Sequence, residues 1–270
     1  KEEYENMGNV TAREVMGEVI GTFIMYFFGI GAVATATLAG THTGPFQVGM
    51  VWGLAIAIAI YCTRNLSCAH FNPAVTVAMA ATGRLEGKKV LPYLIGQFIG
   101  AFIAALVLWI YFAASVNGID ANWASVAGPD TAASIWCEQI TNSLALSIGV
   151  LEGSLAEGIG VFVLVFVIFS MTEDANAGKP GDVIFPLFIG LTVTLIICTA
   201  GPMTDAGLNP ARDILPRVMW LVAGGDMATS GLADWGVWVV YVVAPLVGGV
   251  LAGLLYTQVV DKMHKAADAA

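Results

Sequence analysis

Six long apolar segments constrain the fold of this chain more than any other feature. They run approximately over residues 12–38, 48–63, 91–114, 151–171, 183–200 and 235–260. Most are close to the roughly 20 residues that an α-helix needs to cross a bilayer. Only 11% of the 270 residues are charged, whereas a soluble domain carries about 25%. We therefore expect an all-α membrane protein with six transmembrane helices.

Two short, weakly polar segments interrupt this apolar sequence, one in each half of the chain. Each segment leads into the sequence Asn-Pro-Ala. Asn is a favourable helix N-cap, and Pro is favoured at the first helical position because it needs no N–H there. The apolar stretches that follow are too short to cross a bilayer, so we expect two re-entrant half-helices whose N-termini present free N–H groups and a positive dipole end. Both segments contain the motif Asn-Pro-Ala, formed by Asn72, Pro73 and Ala74 and by Asn209, Pro210 and Ala211.

The two halves of the chain resemble one another. Glu18 in the first apolar segment and Glu157 in the fourth precede similar sequences, as expected of an internal repeat. With three spans in each half, the second copy must be inverted, and inverted repeats with interrupted helices carry their site near the bilayer midplane. The sequence therefore predicts a first repeat over residues 1–114, an extracellular connection over 115–147 and a second repeat over 148–270.

The basic residues predict the orientation. Six spans place both termini on one side, and nine of the eleven Lys and Arg residues then share that side. The connection over 115–147 contains no Lys or Arg, so the termini are expected in the cytoplasm and the protein in the plasma (inner) membrane. The acidic residues behind the net charge of −9 cluster at the termini and in loops, and we expect no nucleic-acid partner.

The sequence contains no pattern typical of a metal site or of an enzyme's active site. The four cysteines lack the spacing of a metal site, and no nucleophile–base pair is visible in the spans. We therefore expect no metal, no cofactor and no enzymatic activity.

Two half-helices that begin with Asn-Pro-Ala, inside a six-span inverted repeat, resemble the aquaporin superfamily, also called the major intrinsic proteins. The resemblance covers nearly the whole chain and implies a homotetramer with one pore in each chain and no cofactor. An Asp directly after the Arg of the second motif is similar to the glycerol-facilitator, or aquaglyceroporin, branch. The segments that carry the resemblance are Ala69-His70-Phe71-Asn72-Pro73-Ala74-Val75-Thr76 and Gly207-Leu208-Asn209-Pro210-Ala211-Arg212-Asp213.

The resemblance also implies a selectivity filter. Its positions fall on Trp52, Ile197, Ala206 and Arg212. Glycerol facilitators generally have a second aromatic residue at the position of Ala206 and a Gly at that of Ile197, so this chain departs from the branch at both. Arg212 is a candidate in its own right, because ionisable residues inside a membrane are usually functional. The alternative for Trp52 is an interfacial anchor. The alternative for Arg212 is a guanidinium that is bonded entirely to Asp213 or to backbone carbonyls.

Other residues are expected to line or support the pore. Asn72 and Asn209 can each present an NH₂ donor to a passing oxygen, although each could serve only as a helix cap. Glu18 and Glu157 are interpreted as acceptors for loop N–H groups that lipid cannot satisfy, and a proton relay is the alternative. His70 and Asp213 are also interpreted as loop supports, with pH sensing as the alternative for His70.

These features favour a passive channel for small uncharged solutes. We expect glycerol-type polyols and water to pass and ions and protons to be excluded, because Arg side chains and half-helix dipoles repel cations. Since Ile197 and Ala206 depart from the glycerol branch, water, urea or undissociated lactic acid remain alternatives. A proton-coupled secondary transporter is the competing class, because inverted repeats with broken helices serve both functions.

Overall fold

The computed structural model describes residues 2–115, 129–139 and 148–268. Every regular element within these ranges is a helix. Six helices are long and apolar enough to cross a membrane, which confirms the predicted number. Their spans are Ala12–Ala39, Pro45–Thr63, Gly87–Phe112, Val150–Thr172, Phe185–Thr204 and Met227–Ala267.

The helices follow the chain in an order that repeats once. The first half contains α1 (Glu2–Ala39), α2 (Pro45–Thr63), α3 (Pro73–Ala81) and α4 (Gly87–Ser115). A short helix, α5 (Pro129–Trp136), lies in the connection. The second half contains α6 (Val150–Thr172), α7 (Phe185–Thr204), α8 (Pro210–Val222), α9 (Met227–Ser230), α10 (Trp235–Trp238), α11 (Ala244–Leu255) and α12 (Asp261–Asp268), with π-helical segments at Val239–Val243 and Tyr256–Val260.

The fifth span is displaced from its predicted range of 183–200. It begins at Phe185 with Pro186 in the first turn, where a missing N–H costs nothing. It continues to Thr204 and ends at Asp205, which adopts a left-handed conformation with a φ of 60°. A left-handed residue cannot continue a right-handed helix. Pro202 lies inside the last turn of α7 and does not end it, so the extent of the apolar segment placed the boundary too early.

Both half-helices begin where the sequence predicted. Asn72 caps α3, and its side-chain oxygen accepts a hydrogen bond of 2.8 Å from the N–H of Ala74. Asn209 caps α8 in the same way, accepting from the N–H of Ala211 at 3.1 Å and of Arg212 at 3.3 Å. In each helix the Pro of the motif occupies the first turn. The Asn-Pro-Ala segments are therefore helix starts by local chemistry.

The two halves are packed crosswise. Half-helix α3 lies against α11, and half-helix α8 lies against α4, so each packs on the last span of the opposite half. Close helix contacts also occur in matching pairs. A Cβ atom on Gly190 would lie 2.0 Å from the carbonyl oxygen of Gly53, and one on Gly248 would lie 2.0 Å from that of Gly158. These four glycines let the backbones of α2 and α7, and of α6 and α11, approach each other.

The division of the chain at residues 114 and 148 stays a prediction. Within the predicted connection the structure describes residue 115, at the end of α4, and residues 129–139, with α5 and the three residues after it. Residues 116–128 and 140–147 of that connection lie outside the described part of the chain.

Candidate functional site

The two Asn-Pro-Ala segments meet inside the protein and are bonded to each other. The Nδ2 of Asn72 donates to the carbonyl oxygen of Leu208 at 2.9 Å, and the Nδ2 of Asn209 donates to that of Phe71 at 2.8 Å. Each Oδ1 accepts from its own half-helix. An amide carries two N–H donors, so each Asn retains one donor beyond the cross-bond. Both side chains line a central cavity.

The four other motif residues form the first turns of α3 and α8. Pro73, Ala74, Pro210 and Ala211 are all buried. They lie where the N-termini of α3 and α8 come together, and they do not line the central cavity as Asn72 and Asn209 do.

The central cavity has a volume of about 440 Å³ and runs lengthwise along the spans. Trp52, Ile56 and Ile60 line it on successive turns of α2, a distance of roughly 12 Å at 1.5 Å per residue. One wall is apolar, with Ile189, Val193 and Leu164 among its residues. The loops before the half-helices, Cys68–Phe71 and Gly207–Leu208, also line the cavity. The lining therefore combines aliphatic side chains with the two loops and the two Asn amides.

These two loops have a strained backbone. Ala69 and Phe71 have φ values of 57° and 52°, and the matching residues Ala206 and Leu208 have φ values of 56° and 54°. The left-handed region costs a non-glycine residue roughly 1–2 kcal/mol. Four such residues persist only where surrounding contacts impose the conformation.

Two buried carboxylates supply those contacts. Glu18 accepts hydrogen bonds from the backbone N–H of His70 at 3.0 Å and of Phe71 at 2.8 Å. Glu157 accepts from the backbone N–H of Gly207 at 2.9 Å and of Leu208 at 2.5 Å. Both side chains are fully buried. The same bond pattern therefore holds the loop in each half.

His70 lies in a polar network behind the first loop. Its Nδ1 is 3.2 Å from the hydroxyl of Thr76, and its ring is 5.1 Å from that of Tyr93. Gln97 donates to the same Thr76 hydroxyl at 2.9 Å and to Glu18 at 2.8 Å. His70 thus contacts the same cluster that binds the loop, and it also lines the cavity.

The four predicted filter residues lie together between two cavities. A second cavity, of about 550 Å³, adjoins the central one near the N-terminus of α2. The residues that line both cavities are Trp52, Ile197, Ala206 and Arg212. The guanidinium carbon of Arg212 lies 5.1 Å from the centre of the Trp52 ring. Trp52 is only 6% exposed, so it is not an interfacial anchor.

The carboxylate beside Arg212 comes from an unexpected part of the chain. Glu138, which follows α5, forms an ion pair with the Nη1 of Arg212. Asp213, which the sequence offered as an alternative partner, instead binds Arg217 through two hydrogen bonds of 2.8 and 2.7 Å. Arg217 also donates to the carbonyl oxygens of Ser230 and Glu138. Asp213 and Arg217 thus link α8 to the segment that delivers Glu138.

Sequence reasoning missed Glu138 and Arg217 as members of the site. Arg217 follows Asp213 by one helical turn, so the i, i+4 spacing was a usable signal. Glu138 offered no such signal, because the connection around it has no periodicity that would bring it to the filter.

A second acid lies in the second cavity. Asp205 lines this cavity and accepts a hydrogen bond of 3.2 Å from the backbone N–H of Gln139. Burial raises the pKa of its carboxyl from 3.8 to about 6. Asp205 therefore carries a negative charge at neutral pH and loses it in mild acid.

Comparisons with known proteins agree with this geometry. A family model described as major intrinsic protein matches residues 5–256. A propanediol uptake facilitator PduF from Citrobacter freundii is 32% identical over 95% of both chains. A glycerol uptake facilitator protein from Haemophilus influenzae is 35% identical over 91% of this chain and 92% of its own.

A solved structure has the same fold. The X-ray structure of the aquaglyceroporin from Plasmodium falciparum aligns with a TM-score of 0.82 at 27% identity. The alignment covers 95% of this chain and 99% of that one. The family match spans most of the sequence, and the structural match spans nearly all of it. This chain therefore belongs to the major intrinsic protein family and is an integral membrane protein.

Proposed function

We propose that this protein is a passive membrane channel for small uncharged polyols such as glycerol and propanediol. The observation that carries the proposal is the junction of the two cavities at Trp52, Ile197, Ala206 and Arg212. A solute that crosses the protein must pass an indole ring, two aliphatic side chains and one guanidinium. This combination suits a molecule with a carbon face and a hydroxyl face.

The lumen behind the filter supports the same class of solute. Aliphatic side chains on α2, α6 and α7 line the lumen together with the two loops and the two Asn amides. A polyol can keep its carbons against the aliphatic side chains and exchange water for hydrogen bonds to the polar groups. The relatives named as glycerol and propanediol facilitators fit this proposal. Water, urea and undissociated lactic acid remain alternatives, since Ala206 and Ile197 are unusual for the glycerol branch.

Exclusion of ions and protons is part of the proposal. Two half-helix N-termini and two Asn donors face the centre of the lumen. The positive dipole ends disfavour cations, and a water bonded to both Asn residues cannot easily relay a proton. At the filter, the Glu138 carboxylate offsets the charge of Arg212, so the central half-helices would carry most of the exclusion.

Four residues are proposed as supports of the loops. Glu18 and Glu157 would compensate for the strained backbone by accepting its N–H groups. His70 would steady the first loop through Thr76, and Asp213 would fix α8 through Arg217. Glu18 and Glu157 each accept several hydrogen bonds from the loop backbone, which suits a support and argues against a proton relay and a proton-coupled transporter.

The orientation and assembly complete the proposal. Both termini would be cytoplasmic, because Lys and Arg are concentrated on that side, and the membrane would be the plasma (inner) membrane. The family resemblance favours a homotetramer with one pore per chain.

Stopped-flow light scattering on proteoliposomes tests the function. We expect entry of glycerol and 1,2-propanediol well above empty liposomes and independent of a proton gradient. Arg212→Ala should change the ratio of glycerol to water permeability, because it removes the charged donor of the filter. Arg13→Ala is the matched control, since Arg13 is exposed outside the lumen. Absence of polyol entry, or entry that follows a proton gradient, would refute the proposal.

A further inference from the structure

A tyrosine of the first span also contributes to the lining of the lumen. Tyr26 lies on α1, is fully buried and lines the central cavity. Its hydroxyl has no hydrogen-bond partner in the described part of the protein. Buried polar groups are nearly always hydrogen-bonded, so an exception requires an explanation. Because Tyr26 lines the central cavity, a solute that enters this cavity can supply the missing partner.

The position of Tyr26 connects it with the filter. Its ring meets that of Trp52 edge to face, with centroids 6.0 Å apart and planes at 71°. The guanidinium of Arg212 lies over the same Trp52 ring, at 5.1 Å. Tyr26 and Arg212 are thus both neighbours of Trp52, one as an aromatic ring with a hydroxyl and the other as a cation with several donors.

The backbone of α1 allows this arrangement. A Cβ atom on Gly29 would lie 2.3 Å from the Trp52 ring, so only glycine at that position lets the indole pack against the helix that carries Tyr26. Ala206 offers no more than a methyl group to the same junction. The second aromatic ring beside Trp52 is therefore that of Tyr26, from the first span.

We propose that Tyr26 is a further specificity-determining residue, whose hydroxyl binds a second hydroxyl of a polyol that is held at Arg212. The proposal rests on the polyol-channel function above and deepens it. A solute with two or more hydroxyls can bond to both residues while its carbons contact Trp52. Water or urea gains no comparable advantage from the phenol, because neither combines a carbon chain with separated hydroxyls. Tyr26 then favours polyols over other small neutral molecules.

Tyr26→Phe tests this proposal because it removes one oxygen and keeps the ring. The loss of one neutral hydrogen bond corresponds to about a threefold to tenfold change in equilibrium. We expect glycerol and 1,2-propanediol permeability to fall by about that factor, and the water permeability of the same vesicles to be unchanged. A loss of folded channel would lower both fluxes together, so the polyol-to-water ratio separates a binding role from a structural one.

Tyr256→Phe provides the matched control. Tyr256 is also fully buried and packs edge to face on Phe166, with centroids 5.3 Å apart, but it does not line the central cavity. Its substitution should leave the ratio unchanged. If wild-type channels admit polyols and Tyr26→Phe has the wild-type ratio, the role of Tyr26 is refuted and the channel function stands. An equal fall in both variants also refutes it. If wild-type channels admit no polyol, both proposals fail.

Discussion

Removal of the Glu138 carboxylate tests how the filter is held together. The ion pair with Arg212 is buried, with side-chain exposures of 2% for Glu138 and 6% for Arg212. Breaking a buried pair by removing one partner costs about 3–5 kcal/mol, because a charge is left without compensation. We therefore expect Glu138→Ala to lower the free energy of unfolding by about that amount.

The expected loss is large enough to measure as a thermal shift. At about 2–4 °C per kcal/mol for a chain of this size class, Glu138→Ala should lower the unfolding midpoint by about 6–20 °C. Circular dichroism of the protein in detergent reports this midpoint from the helix signal. Asp174→Ala is the control, because Asp174 is 97% exposed and pairs with Lys179 at the surface. Exposed pairs contribute little, so the control midpoint should hardly move.

A double-mutant cycle decides whether the ion pair is the cause. Glu138→Ala combined with Arg212→Ala removes both charges and leaves no buried charge unpaired. The double variant should therefore lose less stability than the two single variants together. Additivity within about 0.5 kcal/mol, which is typical of independent sites, would refute the reasoning. The effect of Glu138→Ala would then have to come from its backbone segment and not from its charge.

Two further predictions concern a thiol and a titrating acid. Cys68 is exposed and lines the lumen, so a mercurial reagent should block flux through the wild type. The Cys68→Ser channel should stay open under the same treatment, and an equal block of both proteins would contradict this prediction. The raised pKa of Asp205, about 6, means that the folded protein binds this proton more tightly than the unfolded chain. Stability should therefore fall as pH rises from about 4 to about 6. Asp205→Asn should lack this component of the pH dependence of the unfolding midpoint, and an unchanged profile would contradict it.

Local chemistry was enough to predict much of the site. Asn72 and Asn209 cap their half-helices through bonds to residues two positions away, and such short-range geometry follows directly from the motif. The spans follow from apolar length alone. The residues predicted for the filter do lie together where the two cavities adjoin, but that prediction came from the family resemblance.

The remaining contacts depend on segments that are distant in the sequence. Glu138 reaches Arg212 from the connection between the halves, and Tyr26 reaches Trp52 from a different span. No periodicity encodes such pairs, because the rotation of each span about its axis and the path of each loop are set by packing of the whole bundle. Sequence alone therefore determined that two half-helices, each beginning at a weakly polar Asn-Pro-Ala segment, enter an apolar protein. Only the tertiary structure decided which carboxylate pairs with Arg212 and which aromatic ring packs against Trp52.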